Sequence, residues 1–120
     1  MSKDILRQKT KKFALDIIKL ASEIPDNPSG KVIRYQIVKS GTSVGANYRA
    51  SIRSKSPADF ISKMGIAEEE ADESMFWLEI LHESGMMKEE QIKKLYNDGD
   101  EILAMTVASI WTAKGNKNDK

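Results

Sequence analysis

Apolar positions recur along this chain at helical intervals and almost nowhere at the two-residue alternation of a half-buried strand. Leu6, Phe13, Ile17, Leu20 and Ile24 follow one another at spacings of three, four and seven, which predicts a first helix from about Asp4 to Ile24. The run Pro25-Asp26-Asn27-Pro28-Ser29-Gly30 then ends it. A second helix is predicted from Lys31 to about Ser54, with Ile33, Ile37, Ser40, Val44 and Asn47 as its stripe and Val38, Gly41, Gly45 and Tyr48 on the adjoining row. This core face is small and partly polar. A glycine inside a helix costs about 1 kcal/mol relative to alanine, so Gly41 and Gly45 predict the close approach of a neighbouring backbone.

Ser56-Pro57 carries the signature of a helix start: a hydroxyl to cap free amides, a proline at the first helical position, and Asp59 three residues past the cap. The third helix is predicted from Pro57 to about Glu83, with Phe60, Met64, Ala67, Ala71, Leu78 and Leu81 as its seam. A second apolar row, Ile66, Trp77 and Ile80, lies about a third of a turn away by 3.6-residue geometry. A helix in a monomeric bundle needs one such face, so these three residues are candidates for a contact between subunits. Ser84-Gly85 supplies a stop. A fourth helix follows from about Lys88 to Ala113, on Ile92, Leu95, Tyr96, Ile102, Leu103, Thr106 and Ile110. Four long helices with short connections predict an all-α, up-down-up-down antiparallel four-helix bundle, one domain over residues 1–114 with a flexible tail at 115–120.

A length of 120 residues fits a single domain with a real core. The absence of cysteine excludes disulfides, thiolate zinc sites and cysteine nucleophiles. The charged N-terminus lacks the apolar core of a signal peptide and no segment approaches an uninterrupted membrane span, so a cytoplasmic protein without a membrane partner is expected.

The formal net charge of +1 hides an asymmetry: residues 1–63 hold 13 basic and 5 acidic side chains, and residues 64–120 hold 6 basic and 13 acidic. In the predicted topology Lys3, Arg7, Lys9, Lys11, Arg49, Arg53, Lys55, Lys63, Lys114 and Lys117 gather at one end of the bundle, with Glu83, Glu89 and Glu90 at the other. A polyanion would release counterions on binding such a basic end. Lys3, Arg7, Lys11, Arg49, Arg53, Lys55 and Lys63 are therefore candidate nucleic-acid-binding residues. The competing account is intramolecular: cations at helix C-termini complement the macrodipole, and basic residues pair with the acidic third helix, Lys39 falling near the level of Asp72. Aromatic residues are sparse, and only Tyr48 beside Arg49 interleaves with the basic cluster, which favours backbone binding over base reading.

No enzymatic site is expected. Glu79 and His82 have the Glu-x-x-His spacing of di-iron bundles, but such sites need two pairs and His82 is the sole histidine. Glu68, Glu69, Glu70, Asp72 and Glu73 spread around the helix instead of converging on a cation. The serines of the second helix have no base near them, and no phosphate-binding glycine loop is present. No catalytic residue, metal or cofactor is assigned. Asn47 and Glu73 are expected to be structural polar contacts within or between bundles.

The run SGTSVGANYRAS, followed by SPADFISKMGIAEEEADESMFWLEIL, resembles a family of four-helix-bundle proteins encoded within intervening sequences of bacterial large-subunit ribosomal RNA genes. The likeness extends from about Phe13 to Trp111 and is concentrated between Ser40 and Leu81, where Asn47, Tyr48, Arg49, Glu70, Asp72, Glu73 and Trp77 carry it. The resemblance implies a ring-shaped homopentamer. It extends to the basic accessory protein of diversity-generating retroelements, and so implies RNA or DNA as ligand and a reverse transcriptase as protein partner. It brings no catalytic residue, and the near-neutral total charge departs from that basic relative. The resulting expectation is a non-enzymatic oligomeric bundle that binds RNA or DNA as an accessory protein; the alternative is a structural or protein-interaction bundle without nucleic-acid affinity.

Overall fold

The computed structural model describes residues 3–116, with side chains from Ile5 onward. It contains α1 (Lys3–Ala21), α2 (Pro28–Ile52), α3 (Pro57–Glu83) and α4 (Glu89–Ala113), and no strand among the described residues. Each helix packs against its two neighbours around the bundle, α1 on α2 and α4, and α3 on α2 and α4, as an antiparallel up-down bundle requires.

The ends follow from local chemistry. α1 stops at Ala21, three residues short of the predicted Ile24, because Pro25 disfavours helical geometry in the residue before it. Residues Ser22, Glu23 and Ile24 continue as tight turns onto the carbonyls of Lys19, Leu20 and Ala21, which keeps Ile24 buried on the stripe. α2 begins at Pro28 instead of Lys31: the Asn27 side chain accepts the Gly30 N–H at 2.7 Å and Pro28 takes the first turn. This is the same cap-plus-proline device as Ser56-Pro57, where the Ser56 hydroxyl accepts the Asp59 N–H at 3.1 Å. Gly85, at φ 84°, turns the chain out of α3. The tail expected at 115–120 lies outside the described residues from Lys117 on.

The core is built from the predicted stripes. Phe13, Ile17, Ile37, Val44, Met64, Leu78, Leu81 and Ile102 are fully buried. The structure adds Arg34, whose guanidinium donates to the Ile24 carbonyl at 2.9 Å and, alongside the Ile24 N–H, to the Ala21 carbonyl at 3.3 Å, tying down the turn that follows α1. It also adds Ser74. The Ser74 hydroxyl lies 2.9 Å from that of Ser40 and 2.8 Å from the Glu70 carbonyl, a buried polar link between α2 and α3. The other buried hydroxyls, Thr10, Ser51 and Thr106, donate to carbonyls three residues back in their own helices.

The two helix-interior glycines of α2 serve the α1 seam. A methyl group on Gly41 would lie 2.9 Å from both branches of the Ile17 side chain, so here a side chain occupies the space. At Gly45 the neighbour is Thr10, its Oγ1 3.4 Å and its backbone carbon 3.5 Å from the position of the missing methyl, ordinary contact distances at which a methyl group would fit, so the close approach expected there does not require a glycine. Gly65 on α3 is different, with nothing within 4 Å.

These surroundings predict opposite signs for one substitution. Gly65→Ala gains helix propensity at no steric cost and is expected to stabilise by about 0.5–1 kcal/mol. Gly41→Ala meets Ile17 and is expected to lose about 1–3 kcal/mol to overpacking, more than propensity returns. Urea denaturation of both variants checks this. Destabilisation by Gly65→Ala, or stabilisation by Gly41→Ala, would contradict the packing described.

Candidate nucleic-acid interface

Antiparallel packing places Arg7 and Lys11, on the first half of α1, level with the end of α2, where Arg49 stands in the last turn and Arg53 is the C-cap. Thr10 against Gly45 fixes that level. Between the two rows runs a shallow groove of about 300 Å³ lined by Thr10, Lys11, Ala14, Thr42, Gly45, Ala46 and Arg49. Its floor is made of small residues, and Lys11 and Arg49 stand on opposite banks. Within the groove the Thr10 and Thr42 hydroxyls donate to the Arg7 and Val38 carbonyls.

Among the described residues, ion pairs engage Lys9 with Glu101 across α1 and α4, Lys12 with Asp16, Arg34 with Asp26, Lys63 with Asp59 and Lys94 with Asp98. Arg7, Lys11, Arg49 and Arg53 are all exposed and make none of these. Each helix thus carries two cations four residues apart, Arg7 with Lys11 and Arg49 with Arg53, and like charges at that spacing cost an isolated helix about 0.2–0.5 kcal/mol. The macrodipole accounts for Arg49 in the last turn of α2 but not for Arg7 and Lys11, which sit toward the positive end of α1.

The remaining candidates fall elsewhere. Lys63 is neutralised on α3 by Asp59 at 2.9 Å. Asp59 also accepts the Lys55 backbone N–H at 3.3 Å, and these two bonds, Lys63 first, hold its carboxyl below the usual carboxylate range. Lys55 itself is exposed in the connection before α3. The Lys3 side chain and Lys117 lie outside the described residues. Tyr48, the aromatic that the sequence sets beside Arg49, is 3% exposed and offers no surface for stacking. Tyr35, which the sequence reading did not single out, is 64% exposed on the same helix as the groove. It lies 7, 11, 14 and 18 residues before Thr42, Ala46, Arg49 and Arg53, spacings that share one helical face and were the available signal.

The acidic helix divides around its circumference. Lys39 acts on Glu70 instead of the predicted Asp72. Two residues further on, Asp72 is carried about 200° round the axis, to the α4 side, where it acts on Tyr96. Burial raises the Glu70 carboxyl pKa above the usual value, helped by the negative charges of Glu73 and Glu69 and opposed by Lys39. The Tyr96 hydroxyl donates to Glu79 at 2.8 Å, a bond that raises the Tyr96 pKa. Glu79 and His82 line a separate cleft of about 360 Å³ between α3 and α4, and among the described residues no group of three or more His, Cys, Asp or Glu is placed to hold a metal ion.

Of the second apolar row on α3, Ile66 is exposed, whereas Trp77 and Ile80 pack partly against the core. Phe76 is the more exposed ring beside them, at 49%, edge-on to Trp77 with centroids 5.0 Å apart. The Trp77 indole N–H donates to Glu73 at 3.2 Å, and the Asn47 amide donates to the Ser43 carbonyl at 2.9 Å. Both polar contacts stay within their own helices. No described helix is long and apolar enough to cross a membrane.

Four antiparallel helices with a tight α1–α2 seam define the class: an all-α up-down four-helix bundle. The family model for 23S rRNA-intervening sequence proteins matches residues 3–108. The chain belongs to that family. A solved structure from Bacteroides thetaiotaomicron, a protein of unknown function from the S23 ribosomal protein family, is 35% identical over 92% of this chain and 98% of its own, with a TM-score of 0.85. No curated protein matches the chain.

Proposed function

We propose that this protein is a non-enzymatic, oligomeric bundle that binds RNA or DNA through the α1–α2 face, as an accessory protein of the rRNA intervening-sequence type. The observation that carries the reading is a set of four exposed cations on one face, Lys11 and Arg49 lining the groove and Arg7 and Arg53 one turn beyond its end, that make none of the ion pairs described above. Clustered like charges repel one another slightly, and a bound polyanion relieves that repulsion. Small residues on the groove floor suit a sugar-phosphate backbone, which carries the charge and little sequence information.

Assembly follows from the apolar side chains left outside. Ile66, Phe76, Trp77 and Ile80 on α3 supply a hydrophobic and aromatic surface for a second copy, in keeping with the ring of five that the resemblance implies. The two halves of the chain carry opposite net charge, so the contact of unlike faces in a ring is electrostatically favoured.

Anisotropy of labelled RNA and DNA, measured over a salt series, tests the first statement. Wild type is expected to bind at low salt with affinity falling linearly in log–log form, and the Lys11→Ala/Arg49→Ala double variant to flatten the slope by about 1.4–1.8. Absence of binding at low salt sinks the reading; binding indifferent to salt and to the substitutions places it on another surface.

Light scattering tests the second. Ile66→Glu/Phe76→Glu, both at exposed positions, is expected to keep its helical circular dichroism and fall to monomer mass. A monomeric wild type, or a folded variant of unchanged mass, contradicts the interface.

A further inference from the structure

We infer that the α1–α2 groove is a track for a single nucleic-acid strand, with Tyr35 as the platform on which one of its bases stacks. The inference rests on the proposed nucleic-acid binding and assigns its substrate class. Two features of the groove select a strand over a duplex. Its banks are two helices drawn together at Gly41, where Ile17 fills the space that a side chain would occupy, with Thr10 at ordinary contact distance from Gly45 one turn on. The groove between them is shallow, with a volume of about 300 Å³, room for one sugar-phosphate chain between the cations, whereas a stiff duplex would rest on its rims. Along each bank the charges repeat every four residues, about 6 Å of helix rise, in step with successive phosphates of an extended strand.

Tyr35 supplies what the groove lacks. No aromatic side chain lines the groove itself. Tyr35 continues its α2 face, about 27 Å along the axis from Arg53, and its ring is the most exposed large apolar side chain among the described residues. In the single chain the Tyr35 ring stands 64% in water, open to a stacking partner. An unpaired base has a free face to stack on it, whereas the bases of a duplex are already stacked on each other. The strand would then run from Arg7 and Arg53 past Lys11 and Arg49 over Thr42 and Ala46 toward Tyr35, with contacts to phosphate along the way and one stacked base at the end.

The test compares a 12-nucleotide oligouridine with a 12-base-pair RNA duplex, on wild type, Tyr35→Ala, Tyr35→Phe and Arg7→Ala/Arg53→Ala, by anisotropy at one low salt concentration, about 50 mM. Wild type is expected to prefer the single strand at least ten-fold. Tyr35→Ala is expected to weaken the single strand about ten-fold and leave the duplex unchanged, Tyr35→Phe to bind as wild type, and the arginine double variant to weaken both. Duplex binding equal to or tighter than single-strand binding, or Tyr35→Ala indistinguishable from wild type on oligouridine, overturns the track. Binding of neither RNA overturns the track, and the proposed function falls with it when DNA also fails to bind in the salt series.

Discussion

The missing side chain at Gly41 is the constraint on which the rest of the α1–α2 seam depends. Ile17, fully buried, occupies the volume that a methyl group on Gly41 would need, and this pulls the two helices together along their length. One turn further on, Thr10 meets Gly45, and the contact sets Arg7 and Lys11 level with the end of α2. The groove, its small floor and its paired cation rows all follow from that approach. A side chain at Gly41 would press on Ile17 and separate the banks, so the helix propensity given up there, about 1 kcal/mol, is spent on shape; at Gly45 a methyl group would meet Thr10 only at ordinary contact distance.

The opposite side of α2 is held by a different device. Ser40 and Ser74 meet inside the bundle, and a buried hydroxyl pair tolerates one register of α2 against α3 far better than its neighbours, because a slip would leave a polar group buried without a partner. Arg34 fixes the third relation by tying the end of α1 to the start of α2 through backbone carbonyls. Apolar packing gives the bundle its stability, while these few polar contacts make its geometry specific. Functionally, the result is a rigid surface of two helices whose charges are placed by the core beneath them.

Most of the fold was legible in the sequence, because the apolar period of 3.6 residues survives in every helix and the turn residues between helices are strong signals. The start of α2 was misplaced by three residues since Asn27-Pro28 was read as part of a stop, although it has the same cap-and-proline form as Ser56-Pro57. The candidate surface was legible only as a list of cations. The neutralisation of Lys63 is readable, since Asp59 sits one turn before it on the predicted helix; that of Lys9 is not, because Glu101 reaches it from α4. The difference between Tyr48 and Tyr35 is legible only from their places on the helical wheel. Both are tyrosines on α2, and a rotation of the helix face by half a turn sends one into the core and the other into solvent.

Membership of the 23S rRNA-intervening sequence protein family and a shared fold with a structure of unknown function leave the activity to be argued from the surface. The central claim is that a groove of defined shape, and not the basic charge alone, receives the ligand. Ala46→Phe tests this most directly, since Ala46 is exposed on the groove floor and its replacement blocks the groove without altering any charge. With Ala104→Phe, exposed on α4, as the control, single-strand affinity measured by anisotropy at low salt is predicted to fall at least ten-fold for Ala46→Phe and to stay at the wild-type value for Ala104→Phe. Wild-type affinity in a correctly folded Ala46→Phe variant would contradict the account.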